Sequence, residues 1–329
     1  MIDPRALLAA LADGRPVSGN SLATHFGVTR AAVWKQIEKL RALGAPVIAG
    51  SGSGYHIAAP IELLDRDAIL AALPQYPREQ LQAVDVHWQI DSSNSELLRR
   101  AQGGTIDLRA CFTELQSAGR GRRGRHWHLP LGGGLAFSLL RPFDSGMTAL
   151  AGLSLAVGIA VIRALEELGF RGLGLKWPND LQHAGRKLAG ILVELGGDAL
   201  GPCHAVIGIG LNLRLGAHAD VDIDQDWCDL ASIGDAPLPN RNLLAARLLA
   251  HLIDALDQFE RLSFESFVDD YARYDALRGK TIRVPIGSEA FFGEAIGVDH
   301  TGALRVRTAD REILVDSGEV SVRAMAGSA

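Results

Sequence analysis

Residues 145–162 form a run of eighteen positions without a charged side chain. A run of this length is at the lower limit for a helix that spans a bilayer, so it belongs either in a membrane or inside a large folded domain. Glu166 and Glu167 follow within the same helical pattern. Large apolar residues recur every three or four positions, at Leu150, Leu153, Val157 and Val161. We predict a helix over Met147–Leu168 that is buried on most sides of a soluble domain, and no membrane span.

Length and composition agree with a soluble protein of two or three domains. The 329 residues exceed what one hydrophobic core usually supports. Apolar residues make up 47% and charged residues 22%, which excludes a disordered chain, and the net charge of −5 excludes a general polycation. Three dispersed cysteines exclude a disulfide framework and a thiolate zinc site. Because no leader sequence is recognisable, we expect a reduced, cytoplasmic protein.

The first 60 residues show the pattern of three short helices followed by a β-hairpin. Ser18 and Thr29 are suitable N-caps for the second and third helices, and Gly27 separates these helices. Two short β runs, 46–49 and 55–58, are joined by a Gly/Ser turn. This is the arrangement of a winged helix-turn-helix, which we place at residues 1–62.

Charge supports a DNA-binding role for this unit. Residues 1–60 hold six Lys or Arg against three acids, a charge of +3, whereas the whole chain carries −5. The third helix would enter a major groove and contact bases and phosphates. The candidate DNA-binding residues are Thr29, Arg30, Trp34, Lys35 and Lys39. The alternative is a three-helix protein-interaction module with an ordinary solvated face.

Residues 81–278 are predicted to form a mixed α/β domain after a short helical linker, 63–80, in which Pro74 and Pro77 end the helix. The strands come mostly in neighbouring runs, which favours a mixed sheet with helices on one face. The predicted strands are Val84–Ile90, Leu108–Gln116, Gly134–Leu140, Gly174–Lys176, Lys187–Leu195 and His204–Leu213. The predicted long helices are Ser95–Ala101, Met147–Leu168 and Leu243–Arg261.

The remaining residues, 279–329, alternate glycines with short β runs. This pattern predicts a small SH3-like barrel of four or five strands. The runs are Thr281–Pro285, Phe291–Gly297, Ala303–Thr308 and Glu312–Asp316. The fold class is therefore α+β, with several domains.

The strongest chemical signal is the segment Gly119–Arg125, which alternates Gly with Arg and is followed by Trp127. Six glycines fall within residues 119–134. Glycine lets backbone amides approach an anion closely, and arginine binds phosphate or carboxylate groups. A loop that becomes ordered over a phosphate-bearing ligand explains this composition. The alternative is a solvated basic loop that contacts RNA.

Three further segments place polar residues at strand ends. Lys176–Asp180 should form a tight turn, because Pro178 cannot continue a strand. Lys187 begins an otherwise apolar strand, so its ammonium group needs an anion nearby. Asp91–Asn94 should cap a helix, and Gly208–Asn212 permits close approach of a ligand or another backbone. Taken singly, each is also explained by ordinary turn, cap or surface chemistry. No metal-ligand spacing, nucleophile elbow or Walker-type phosphate loop is present. The sequence therefore predicts a binding site for a polyanion, formed by cationic side chains, backbone amides and carboxamide side chains.

Taken together, these residues resemble the signature segments of biotin–protein ligases. The matching segments are Gln116–Arg125, Lys176–Asp180 and Lys187–Leu192, in the order and spacing of that family. Because a winged helix-turn-helix precedes them, the resemblance is to the bifunctional members that also repress the biotin operon, and it covers essentially the full chain. The family usually has Thr where this chain has Ser93, which keeps the hydroxyl group.

The resemblance implies an ATP-dependent biotin–[acetyl-CoA-carboxylase] ligase that works in two half-reactions, with Mg²⁺ accompanying ATP. The first forms biotinyl-5′-adenylate and pyrophosphate from biotin and ATP. The second transfers the biotinyl group to a lysine of a biotin carboxyl carrier protein and releases AMP. The resemblance also implies homodimerisation when the adenylate forms, binding to operator DNA and repression of biotin synthesis genes.

The resemblance assigns roles to individual residues of the site. Biotin binding falls to Ser92, Ser93, Asn94, Gln116, Arg120, Gly121, Arg122, Trp127, Lys187, Gly190 and Leu192. Nucleotide binding falls to Arg122, Asn179, Asn212 and Trp227. The catalytic residues are Lys187, Arg122 and Asp180. Lys187 would stabilise charge at the α-phosphate and acyl oxygen, and Asp180 would ligate Mg²⁺ or accept a proton from the incoming lysine.

Other functions remain open on the sequence. A lipoate–protein ligase also makes an acyl-adenylate, although the Gly119–Arg125 segment favours biotin. The chain could be a ligand-sensing transcription factor without ligase activity, which Lys187 and the intact arginine pattern disfavour. It could also be an active ligase whose winged domain regulates nothing.

Overall fold

The structure, a computed structural model, describes residues 2–50, 54–58, 60–215, 226–234, 236–286, 289–316 and 322–324. Across these ranges no helix combines the length and the apolar character that a membrane crossing requires. The predicted Gly/Ser turn of the N-terminal hairpin falls partly outside the described residues, as does the end of the predicted barrel at 325–329.

The N-terminal unit consists of three helices and an antiparallel hairpin, as predicted. Its elements are α1 (Pro4–Ala9), α2 (Gly19–His25), α3 (Arg30–Ala42), β1 (Val47–Gly50) and β2 (Gly54–Ile57). Ser18 accepts a hydrogen bond from the Ser21 amide and Thr29 accepts one from the Ala32 amide, which confirms both N-caps. Gly27, with φ of 63°, makes the turn between α2 and α3. The inner faces of the helices meet in one core that includes Leu7, Leu11, Leu22, Val33, Ile37 and Leu40.

The segment that follows is more ordered than the predicted linker. It forms α4 (Arg66–Ala72) and α5 (Gln75–Gln80). Pro77 lies inside the first turn of α5 instead of ending a helix, because the first helical positions have no carbonyl partner for an N–H group. Leu64, Ile69 and Leu73 are buried in the core of the central region, so this stretch packs as part of it.

The central region is built on a seven-stranded mixed sheet. Its strands are β3 (Ala83–Ile90), β4 (Arg109–Gln116), β5 (Gly134–Phe143), β6 (Leu173–Lys176), β7 (Asp180–His183), β8 (Arg186–Gly197) and β9 (Cys203–Asn212). Their order is β3-β4-β5-β9-β8-β7-β6, with β3 parallel to β4 and every other pair antiparallel. Six strands agree with prediction to within a few residues. The prediction missed β7 and put Asp180 in the turn, whereas Asp180 is the first residue of that four-residue strand.

The two faces of the sheet carry different helices. The helices of this region are α6 (Ser93–Gln102), α7 (Leu153–Glu167), α8 (Leu230–Ile233), α9 (Arg241–Leu262) and α10 (Val268–Tyr274). The long helices α7 and α9 share one core with Phe112, Phe137 and Ile207. The prediction placed helices on this face alone, whereas α6 packs on the other face. Because side chains alternate along a strand, Cys111 and Val206 lie on the opposite face, where α6 covers them.

The uncharged run begins with a break that the sequence analysis did not predict. Met147–Leu150 form a 3₁₀ turn, and Gly152, with φ of 78°, separates it from α7. Helix α7 itself buries eleven of its fifteen residues. The predicted burial is confirmed, and the predicted continuous helix from Met147 is wrong.

The C-terminal strands form a five-stranded antiparallel sheet, as an SH3-like unit requires. The strands are β10 (Thr281–Ile286), β11 (Glu289–Val298), β12 (Leu304–Arg307), β13 (Glu312–Val315) and β14 (Arg323–Ala324), in the order β13-β12-β11-β10-β14. Ile282, Val284 and Val306 are buried in the same core as the central helices. The Trp177 indole N–H donates to the Gly302 carbonyl at 3.1 Å, which joins this unit to the β6–β7 turn.

Candidate active site

A cavity of about 850 Å³ opens where α6, the segments after β4 and β6, and strands β8 and β9 meet. Its volume is within the range of small-molecule sites. All fifteen residues that the sequence analysis assigned to biotin, nucleotide or catalysis line it. They are Ser92, Ser93, Asn94, Gln116, Arg120, Gly121, Arg122, Trp127, Asn179, Asp180, Lys187, Gly190, Leu192, Asn212 and Trp227.

The described residues that line this cavity are strongly cationic, although the chain as a whole is acidic. The lining includes seven Lys or Arg against two Asp. The cations are Arg120, Arg122, Arg123, Arg125, Lys176, Lys187 and Lys280. Such a concentration of positive charge suits a ligand with several negative charges.

The Gly/Arg loop (Gly119–Arg125) folds back on itself beside the cavity. The Gly121 amide donates to the Arg125 carbonyl at 2.7 Å, and the Trp127 amide donates to the Gly119 carbonyl at 2.9 Å. A Cβ atom on Gly119 would lie 2.2 Å from the Trp127 carbonyl oxygen, so only glycine fits there. Arg123 adopts a left-handed φ of 59°, which is uncommon for a residue with a side chain.

Two arginines of this loop have different surroundings. The Arg120 guanidinium lies 2.6 Å from a Glu194 carboxylate oxygen and is 43% exposed. Arg122 is less exposed, and its Nη1 donates to Asn179 Oδ1 at 3.4 Å. Burial lowers the pKa of Arg122 from its ordinary value, and the nearby Asp180 carboxylate opposes this shift. Arg122 therefore carries its charge in a partly desolvated position, where it acts more strongly on an anion.

Lys187 meets the anion that its position in an apolar strand required. Its Nζ lies 2.8 Å from Asp180 Oδ1, and both side chains are nearly buried, at 11% and 13% exposed. The ammonium group also lies 5.5 Å from the centre of the Trp127 ring. The pair forms because β7 and β8 are antiparallel neighbours.

The glycines of β8 and β9 make room for Trp127. A Cβ atom on Gly210 would lie 2.2 Å from the indole ring, and one on Gly190 would lie 3.1 Å from it. Gly208 is likewise covered by Asn94, whose Oδ1 would lie 2.2 Å from a Cβ atom there. The close approach predicted for Gly208–Asn212 is therefore made by two side chains of the protein itself.

A hydrogen-bond network connects the polar residues at the start of α6. Ser92 caps the helix through the Ser95 amide, while the Ser93 amide and hydroxyl donate to Gln116 Oε1 at 2.8 and 3.3 Å. Ser138 Oγ is within 2.7 Å of Ser93 Oγ and 2.5 Å of Asn94 Oδ1. Ser138 was not predicted as part of the site, although a polar residue within the apolar strand β5 was a usable signal.

Asn179, Asn212 and Trp227, which with Arg122 are the predicted nucleotide-binding residues, also line this cavity. Asn179 Nδ2 donates to the Ile191 carbonyl at 2.7 Å, and Asn212 Nδ2 donates to the Cys228 carbonyl at 3.0 Å. Trp227 pairs with Lys187 through a single β-bridge. The cavity is completed by residues that the sequence analysis did not single out, among them Ala276, Leu277, Lys280 and Val322 near or within the C-terminal unit.

The candidate DNA-binding residues lie on α3 or at its start. Arg30, Trp34, Lys35 and Lys39 are exposed, and Trp34 presents 56% of its surface to solvent. The Thr29 hydroxyl accepts the capping hydrogen bond of α3, so one of its lone pairs is already used. Charged and aromatic side chains thus share the outer surface of the helix opposite its buried face.

Family models match three parts of the chain in the same order as the three units of the fold. They are an HTH domain at residues 5–56, the Biotin/lipoate A/B protein ligase family at residues 88–212 and the Biotin protein ligase C terminal domain at residues 278–323.

Individual proteins and structures are also similar to this chain. The bifunctional ligase/repressor BirA of Salmonella typhimurium is 38% identical over 301 residues, which are 92% of this chain and 91% of that protein. The biotin–[acetyl-CoA-carboxylase] ligase of Mycobacterium tuberculosis is 34% identical over 272 residues, covering 78% of this chain and 98% of that protein. The structure of biotin protein ligase from Aquifex aeolicus in complex with biotin and ATP matches with a TM-score of 0.62 and 26% identity, over 74% of this chain and 100% of that one. The chain belongs to the family of bifunctional biotin–protein ligase/repressors.

Proposed function

We propose that this protein is an ATP-dependent biotin–protein ligase that forms biotinyl-5′-adenylate and transfers biotin to a lysine of a biotin carboxyl carrier protein. The observation that carries the proposal is the meeting of all fifteen assigned residues on one cavity lined by seven cations. Both half-reactions pass negative charge through phosphoryl or acyl oxygens, which cations held in place stabilise.

In the first half-reaction a carboxylate oxygen of biotin attacks the α-phosphorus of ATP, and the bond to the β-phosphate breaks to release pyrophosphate. Arg122 and Lys187 stabilise the charge on the α-phosphate oxygens. The backbone amide of Arg120 and the Arg122 guanidinium hold the carboxylate, as the close approach that glycine permits in the Gly/Arg loop allows. Closure of this loop keeps water from the mixed anhydride.

Biotin occupies the part of the cavity between α6 and Trp127. Ser92, Ser93, Asn94 and Gln116 provide the hydrogen-bonding groups for its ureido ring. Hydrogen bonds between Ser93 and Gln116, and between Ser138 and Asn94, hold three of these side chains in place before the ligand arrives. The Trp127 ring, Gly190 and Leu192 provide the apolar wall. Asn179, Asn212 and Trp227 face the ribose or adenine, Trp227 by stacking.

In the second half-reaction the amine of the carrier lysine attacks the acyl carbon, AMP leaves with the bonding electrons, and the amine loses a proton. A free lysine has a pKa of about 10.4 and arrives mostly protonated. We assign Asp180 as the acceptor of that proton, because its carboxylate lines the cavity next to Lys187. Replacing Asp180 by Asn should slow transfer to the carrier more than adenylate formation, and equal transfer rates would refute this role.

Mg²⁺ fits this site as a companion of ATP. Among the described residues no group of three or more His, Cys, Asp or Glu side chains could hold a metal ion alone, and Asp180 and Asp226 are the acids that line the cavity. Mg²⁺ is commonly held by one or two carboxylates plus substrate phosphates, so Asp180 would contribute one oxygen. The ion would neutralise charge on the phosphates while the adenylyl group passes to biotin and pyrophosphate leaves.

Isotope exchange between ATP and pyrophosphate tests the ligase proposal. We expect exchange that depends on biotin and is absent with lipoate, followed by biotin transfer to the carrier protein of acetyl-CoA carboxylase. Exchange with lipoate instead would favour a lipoate ligase. Absence of both exchange and carrier labelling would leave a sensor without catalysis and refute the proposal.

A second function, repression of biotin synthesis genes, is favoured by the exposed cations and Trp34 on α3. We propose that this helix binds operator DNA and that adenylate formation promotes homodimerisation, which couples biotin supply to DNA binding. A gel-shift with the promoter of the biotin synthesis genes should show a complex that strengthens when biotin and ATP are added. No shift under either condition would indicate a ligase whose winged unit does not regulate.

A further inference from the structure

Glu194 on β8 contacts both the Gly/Arg loop and the start of α6, and it is not among the residues predicted to bind biotin or nucleotide. One carboxylate oxygen lies 2.6 Å from Arg120 Nη2, and the other accepts a hydrogen bond from Asn94 Nδ2 at 2.9 Å. The side chain is 21% exposed. A carboxylate in the otherwise apolar run Ile191–Leu195 thus joins two segments that are far apart in the chain.

The position of Glu194 follows from the sheet. Residues 190, 192 and 194 alternate along β8, so Glu194 lies on the same face as Gly190 and Leu192, which line the cavity. On that face Asn94 lies over Gly208 and is 3% exposed. Its Oδ1 accepts from Ser138, and its Nδ2 also approaches the Leu192 carbonyl at 3.4 Å.

We infer that Glu194 is a positioning residue for biotin binding. Glu194 holds Arg120, and therefore the start of the Gly/Arg loop, against the sheet, and it also orients Asn94. The inference rests on the proposed ligase function and specifies how one part of that site is organised. The Arg120 side chain is used for this ion pair, which leaves the backbone amide of Arg120 to face the carboxylate of biotin. The ion pair persists when biotin is bound.

The expected strength of this restraint is modest. A partly exposed ion pair shifts an equilibrium by about two- to fivefold. A weak restraint suits a loop that must close on the adenylate and open again to release product.

Glu194→Gln removes the charge but keeps the shape of the side chain. We expect the KM for biotin to rise about two- to fivefold with kcat nearly unchanged. We also expect the ligand-free protein to be cut faster by trypsin within the Gly/Arg loop. Glu194→Ala, which also frees Asn94, should raise KM further. In an Arg120→Ala background, Glu194→Gln should have no additional effect on KM, whereas a merely structural role would leave the two effects independent.

The matched control is Glu312→Gln, because Glu312 forms a 2.6 Å ion pair with Arg305 in the C-terminal unit. This variant should change neither KM nor the trypsin cleavage rate. Any of four results in Glu194→Gln would overturn the inference. They are unchanged cleavage with unchanged KM, a fall in KM, faster cleavage without a change in KM, and a loss of kcat alone. Cleavage of the ligand-free protein does not depend on catalysis, so failure of this inference is distinguishable from failure of the ligase proposal.

Discussion

At the scale of single residues, the Lys187–Asp180 pair is the contact on which the proposed catalysis depends most. Each partner compensates the charge of the other while the two side chains are withdrawn from water. A phosphate that enters the cavity meets Lys187 in a setting where competing solvent is scarce. The ammonium group can therefore stabilise new charge on an oxygen with little reorganisation.

Lys187→Ala should abolish most catalysis. Without the ammonium group the Asp180 carboxylate remains in the cavity and repels the α-phosphate. We expect biotin-dependent pyrophosphate exchange to fall by about 10²- to 10³-fold in kcat. Lys280→Ala is the control, because Lys280 lines the same cavity but is exposed, and its loss should have a much smaller effect. Similar rates in the two variants would contradict the assigned role of Lys187.

Asp91 contributes a pH-dependent share of stability next to the biotin site. Hydrogen bonds from the Arg99 guanidinium lower the pKa of Asp91 from 3.8 to about 2. A lowered carboxyl pKa stabilises the folded state above pH 3.8, and this stabilisation is lost as the pH falls through about 2. The side chains of this pair are 51% and 44% exposed, so the contribution should be below about 1 kcal/mol.

The measurement is the urea midpoint of the wild type and Asp91→Asn at several pH values. The wild type should be the more stable near pH 6, and the difference should shrink as the pH falls from about 4 to about 2. A difference that stays constant over this interval would show that the charge of Asp91 is not its source.

At the scale of secondary structure, the strands β8 and β9 form the floor of the site because their glycines admit other groups. Trp127 lies against Gly190 and Gly210, and Asn94 lies against Gly208. Sequence patterns predicted both strands, and for β9 they predicted the close approach of a ligand or another backbone. They did not predict which group approaches, because Trp127 and Asn94 reach the strands only after the chain has folded.

Gly210→Ala should displace the Trp127 ring. Its Cβ atom would lie 2.2 Å from the ring, and the surrounding sheet offers little room to relax. We expect the free energy of unfolding to fall by about 1–3 kcal/mol, with a raised KM for biotin. Gly103→Ala is the control, because Gly103 has an ordinary φ of −77° and its nearest neighbours lie at 3.4 Å. Wild-type stability and KM in Gly210→Ala would contradict the proposed position of Trp127.

At the scale of the whole molecule, the DNA-binding unit packs directly on the segment that follows the Gly/Arg loop. Leu115 and Leu131 of the central region are buried in the core of the N-terminal unit. The Leu131 amide donates to the Leu43 carbonyl at 3.2 Å, and Gly44 abuts Pro130. We therefore expect a displacement of residues 127–131 to shift the C-terminal end of α3.

Leu131→Ala should weaken this junction. Leu131 is 1% exposed, so the truncation leaves a cavity and should cost about 2–4 kcal/mol in thermal unfolding. We expect operator affinity to fall as well, because α3 packs in the same core. Leu314→Ala is the control, since Leu314 is 56% exposed and should leave the melting temperature unchanged. Normal operator binding in a destabilised Leu131→Ala would show that the two units act independently.

The sequence by itself determined most of the elements, the order of the units and fifteen of the residues that line the cavity. N-caps at Ser18 and Thr29, strand patterns and the signature segments depend on residues a few positions apart, so they can be seen without a structure. Tertiary structure alone decided the partners: Glu194 with Arg120, Lys187 with Asp180, and the C-terminal strands beside the cavity. The physical reason is that such contacts depend on strand register and on how distant segments pack, which no local pattern encodes.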